Sequence, residues 1–144
     1  MDQPHASLIA AGAKQVHLVE SKPRITRGQV LIAAAMPPRE QLERDCRDHP
    51  AVGKALHGLG YCKYSDLPNS CLVARVELLG VHRIGHRGKD KWWDQVADIE
   101  LDLAPIDVGR LAMRLRLVQP IDPPVAVEHG MLPWFEVPGQ GFQI

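Results

Sequence analysis

The chain is poor in aromatic residues: Phe, Trp and Tyr make up only 5% of its 144 positions. Aliphatic side chains must therefore fill most of any interior. Net charge is missing too, because seventeen Lys and Arg balance seventeen Asp and Glu. Without net charge there is no global pull toward a polyanion, so any anion binding has to come from a local cluster. The cysteines are few and odd in number, and Cys46, Cys62 and Cys71 lie far apart. That is neither a disulfide framework nor a zinc spacing. No apolar run approaches the roughly 20 residues that cross a bilayer. Asp2 stands where a secretory leader carries basic residues. The expectation is a reduced, cytoplasmic protein with no membrane partner. A Gly-x-Ser-x-Gly elbow and a Gly-Lys-Ser/Thr loop are also absent, which leaves a serine nucleophile and a P-loop unsupported.

What remains is the composition of an ordinary globular domain, 45% hydrophobic and 24% charged. The length fits a single domain over residues 1–144. Asp2 and Pro4 suit the start of a helix carrying Leu8 and Ile9, and Gly12 suits its end. From Lys14 to Val19 the pattern alternates like a short strand, and a polar loop follows. Val30 to Ala35 is a continuous apolar run, a candidate buried strand. Pro37 and Pro38 open a helix over 38–47, broken at His49-Pro50, with a further helical turn at 51–57. Alternation then predicts strands over 72–79, over 98–103 and over 110–117, the last ended by Pro120, Pro123 and Pro124. The polar stretch 85–91 reads as a mobile tip, and residues 130–137 as a last short strand. Strands with two helices near the start argue for an α+β fold, a small curled sheet or barrel with helices over one opening.

The order of motifs resembles a known family. "QPHASLIAAGAK" followed by "RGQVLIAAA" is similar to the opening of ASCH domains, a branch of the PUA-like fold. The matching positions are Pro4, Ala6, Ile9, Gly12, Lys14, Arg27 and Gly28, and the apolar run after them. "SDLPNSCLVARVELLGV" and "GRLAMRLRLVQPIDPPVAV" resemble two later blocks, so the likeness spans nearly the whole chain. The departures are local. His5 stands where the family has tryptophan, and His17 where many members have glutamate. The resemblance implies a small PUA-like β-barrel with a cleft between barrel and helices, binding RNA or a modified nucleotide. One bacterial branch hydrolyses N4-acylated cytidine with a lysine, a threonine and a glutamate; another is described as a metal-dependent ribonuclease. Lys14 matches the amidohydrolase lysine, and His17 takes the place of the threonine. The segment carrying the glutamate does not align.

Lys14 follows the glycine that ends the first helix, which can aim its amine into a cleft. A lysine partly desolvated beside other cations becomes a better base or nucleophile. On a regular strand Glu20 lies on the same face as Lys14 and is its better partner, while His17 lies on the opposite face and joins Lys14 only across a bulge or twist. His17 reads more readily as a structural histidine than as a catalytic one. Lys22, Arg24, Arg27 and Gly28 make a basic loop that suits phosphate, or simply a solvated loop. In "HRIGHRGKDKWW", Arg83, Arg87, Lys89 and Trp92 combine charge with a ring for a base to stack on. The alternative is a tryptophan packed in the core beneath a basic tip. His82 and His86 have a helical ligand spacing, but Gly80, Gly85 and Gly88 argue against a helix there. No metal and no cofactor is expected.

Overall fold

The computed structural model describes residues 1–104 and 106–128. The strand expected at 130–137 lies outside the described residues. The first helix, α1 (His5–Ala10), buries Ala6, Ser7, Leu8 and Ile9. Its start is held by the Gln3 side chain, and Asp2 takes part only through its carbonyl, which accepts the Ala6 N–H at 3.3 Å. The Gln3 side chain accepts the Ser7 N–H at 3.0 Å and donates to the Pro68 carbonyl at 2.8 Å. Its end is a glycine cap: Gly12 has φ +74°, its N–H reaches the Ile9 carbonyl, and the Ala13 N–H reaches Leu8. Only a residue tolerant of positive φ closes a helix in this way. The Lys14 N–H shares the Leu8 carbonyl, so the lysine backbone is tied to the same cap.

β1 (Val16–Val19) starts two residues later than the alternation suggests, and Lys14 lies outside it. β2 (Gly28–Ala34) buries Val30, Ile32 and Ala34 on one face. α2 (Arg39–Asp48) and α3 (Pro50–Gly58) are separated by His49 alone, with Pro50 in the first position of α3, where its missing N–H costs nothing. β3 (Cys71–Arg83) is longer than its alternating core.

Residues 98–103 form a helix, α4 (Asp98–Leu103), and not a strand. Glu100 and Leu103 are buried at a helical interval while Ile99 is 47% exposed. β4 (Leu111–Ala126) runs through Pro120, Pro123 and Pro124 instead of stopping before them. β1 pairs only with Leu111–Arg114 of β4, so that flank of the later residues is not in a ladder with β1. A missing proline N–H is tolerated at such an edge.

The four strands make one antiparallel sheet in the order β1-β4-β3-β2. This is a mixed α/β architecture. Among the described residues no pairing joins β1 to β2, the two edges of the sheet. α1 packs on the sheet through Ala6 and Ile9, against Val30, Ile32, Val76, Leu78, Met113 and Leu115. Its other side, through Leu8, meets Leu42, Val52, Leu56 and Leu103 from the remaining helices. The short helix thus sits between sheet and helices and holds its C-terminal cap at their junction. Among the described residues no helix is long and apolar enough to cross a membrane.

Candidate active site

The junction contains a cavity of about 270 Å³. Each wall comes from a different element. α1 contributes His5, the cap contributes Lys14, and β1 contributes His17 and Leu18. The end of α2 brings Asp45 and Asp48, followed by His49, and Arg110 precedes β4. Leu103 and Ala104 close it beside α4.

Lys14 is only 3% exposed, and its Nζ donates to Nδ1 of His5 at 3.1 Å. The His5 and His17 rings lie 5.7 Å apart at their centroids, tilted by 56°. Glu100, also 3% exposed, turns in from α4 and accepts the Gln15 N–H at the entry to β1. It acts on Lys14 by charge without a direct ion pair.

Burial sets the protonation states. It brings the Lys14 ammonium down to about 8, against the opposing pull of Glu100. A group with that value carries about a tenth of its population as neutral amine at pH 7. His5 is pushed down to about 3, first by burial and then by the charges of Lys14 and His49. His17 is likewise pushed to about 3 by burial, then by Lys14 and His5. Both imidazoles are therefore neutral at pH 7 and serve as hydrogen-bond partners rather than as bases. Burial raises Glu100, opposed by the Gln15 hydrogen bond and by Lys14. The result is a partly deprotonated amine among neutral imidazoles, with a carboxyl group close by. Such a site can polarise a carbonyl, take up a proton, or attack an electrophilic carbon.

No model of a known protein family matches the chain, and no curated protein matches it.

The structure brings together two of the three residues read as catalytic. Lys14 and His17 share the cavity, because β1 begins after Lys14 and strand alternation does not separate them. Glu20 is exposed just beyond β1 and does not line the cavity. Lys22, Arg24, Arg27 and Gly28 are also exposed, and none opens onto it.

The second basic segment is folded rather than free. Trp92 is 8% exposed and packs with Val16, Ile84 and Ala112, so its ring is core and not a platform for a base. It stacks on His82 at 5.8 Å, and His82 is hydrogen-bonded to Asp90 at 2.6 Å. Arg83 donates to the Gly109 carbonyl at 2.7 Å, and the Arg87 guanidinium lies 5.5 Å from the centre of the Trp93 ring. Lys89 is exposed.

His5 and Glu100 were not found by sequence reasoning. A signal for His5 was present: a helix of under two turns closed by a glycine cap returns the chain toward its start, so positions 5 and 14 meet. Glu100 had no local signal. It lies 85 positions from the Gln15 N–H that it accepts.

Proposed function

We propose that the protein is an ASCH-type domain of the PUA-like fold, its sheet part of a small barrel, that holds a modified nucleoside or nucleotide around Lys14. One observation carries the reading: a buried lysine amine on the wall of a cavity of about 270 Å³, beside two neutral histidines. That volume lies near the lower end for small-molecule sites and suits one nucleoside-sized ligand. Lys14, Arg110, Asp45 and Asp48 line the same space. Mixed charge suits a ligand rich in both donors and acceptors better than a polyphosphate backbone. The loop cations that an RNA strand would need lie outside it, so a single nucleotide unit is favoured over an RNA tract. Calorimetric titration with cytidine, N4-acetylcytidine, cytidine monophosphate and a short single-stranded RNA at two salt concentrations tests this. Saturable binding of a mononucleoside, little affected by salt, is the expected result. Binding of the RNA alone, lost at high salt, would overturn it.

Glu100 favours a second reading, an amidohydrolase acting on N4-acylated cytidine-type nucleosides. The Lys14 ammonium would polarise the amide oxygen, and Glu100, set behind the cavity wall, would act through its charge on Lys14. Chromatography of N4-acetylcytidine incubated with the protein should then show cytidine and acetate. No turnover, or full turnover by Lys14→Ala, would remove this reading.

A further inference from the structure

A lysine kept only to neutralise charge has a carboxylate partner, which keeps it protonated. Lys14 has an imidazole nitrogen instead, 3.1 Å from its Nζ, and it is 3% exposed on the wall of a cavity large enough for a small molecule. The threonine of the amidohydrolase branch that the sequence resembles is replaced here by His17. The amine itself is the nucleophile best placed in the cavity.

We propose that Lys14 condenses reversibly with small aldehydes or ketones that enter the cavity, and that His5 holds the amine in place for the attack. The ammonium first loses a proton to solvent, while its hydrogen bond to His5 Nδ1 fixes the nitrogen. The free amine lone pair forms a bond to the carbonyl carbon. The nitrogen then passes a proton, by way of water, to the former carbonyl oxygen and gives a carbinolamine. A proton from solvent joins that hydroxyl, water leaves, and a protonated imine remains. One carbonyl compound enters and one water departs, with no oxidation or reduction. The carboxyl groups of Glu100, Asp45 and Asp48 offset the iminium charge, while His17, His49 and Arg110 complete the surroundings of the amine. Burial supports the same chemistry by bringing Lys14 to about 8, which raises its free-amine fraction near neutral pH.

The inference rests on reading the cavity as a small-molecule site, not on the ligand being a nucleoside. The test uses the whole chain, propanal and sodium cyanoborohydride at pH 7.5, with propyl addition followed lysine by lysine by mass spectrometry. Lys14 is expected to react at least tenfold faster than the exposed Lys54 and Lys63, and to lose that advantage in guanidinium chloride. Modification of Lys14 no faster than Lys54 would overturn the proposal. His5→Gln should slow labelling at Lys14 several-fold and leave Lys54 unchanged; His5→Asn serves if that variant does not fold. An undiminished Lys14 rate in a folded His5 variant would remove the role given to His5. Rapid capture by Lys14 without nucleoside binding would retire the proposed function alone. Nucleoside binding with an unreactive Lys14 would retire this inference alone.

Discussion

Among the described residues two histidine clusters are built on opposite principles. Around Lys14, His5 and His17 sit beside a cation, and burial keeps them uncharged. At the far end of β3, His82 sits against Asp90, which also accepts the N–H groups of Gly85 and Trp92. Those bonds, first among them the one from His82, hold the Asp90 carboxyl down to about 2. The second cluster spends its polar groups on one another and fixes a turn over a buried tryptophan. The first turns its polar groups toward the cavity. Similar side chains make a structural corner where their bonds are satisfied internally and a candidate site where they are not.

The largest contrast should come from the two residues at the centre of each cluster. Trp92→Ala removes a buried ring and is expected to cost about 3 kcal/mol or more, read as a fall in the thermal midpoint with nucleoside binding retained in the folded fraction. Lys14→Met should do the reverse. Ligand binding should drop at least tenfold while the midpoint holds or rises, since a costly buried charge is gone. A Trp92→Ala protein as stable as the parent, or a Lys14→Met protein that still binds, would break the comparison.

Glu100→Gln removes a charged acceptor from the Gln15 N–H and should cost roughly 1–3 kcal/mol by denaturant titration. It should also lower the Lys14 value further, because Glu100 is what opposes burial there. The propanal labelling rate reports that shift as a rise at pH 7.

Acid sharpens the comparison next. His5 and His17 have folded values near 3 against 6.5 unfolded. Between those limits the unfolded chain binds more protons, so stability is full above about 6.5 and falls as pH drops toward 3. A double His5→Gln, His17→Gln variant should show a flatter stability profile between pH 6.5 and 4. A parent profile already flat in that window would contradict the neutral pair. Asp90 gives the smallest effect. Its depressed value contributes stability that is lost only as pH falls from the ordinary 3.8 through about 2. Asp90→Asn should therefore leave the slope between pH 5 and 8 unchanged.

Much of the sheet was legible because its signals are local. Leu111, Met113 and Leu115 alternate with Arg114 and Arg116, and the structure buries the first set and exposes the second. Asp98 to Leu103 misled for a reason of length. Over six residues a period of two and a helical period bury overlapping sets, and only packing against α3 and β1 chooses between them. The tip at 85–91 misled differently. Its glycines suggest mobility, but Asp90 gathers the Gly85 and Trp92 N–H groups into one turn.

The sequence by itself determined the cap at Gly12 and the position of Lys14 two residues after it. A helix end needs a residue that accepts positive φ, and that requirement is satisfied within a few positions of the chain. It also determined the apolar faces of β2, β3 and β4, since side chains alternate along any strand. Tertiary structure alone decided that the lysine would lose its solvent. That depended on α2 and α4 closing over the cap, on His5 meeting the amine, and on Glu100 arriving from the other end of the chain. Proton affinity follows burial and neighbouring charge, and both belong to the assembled fold.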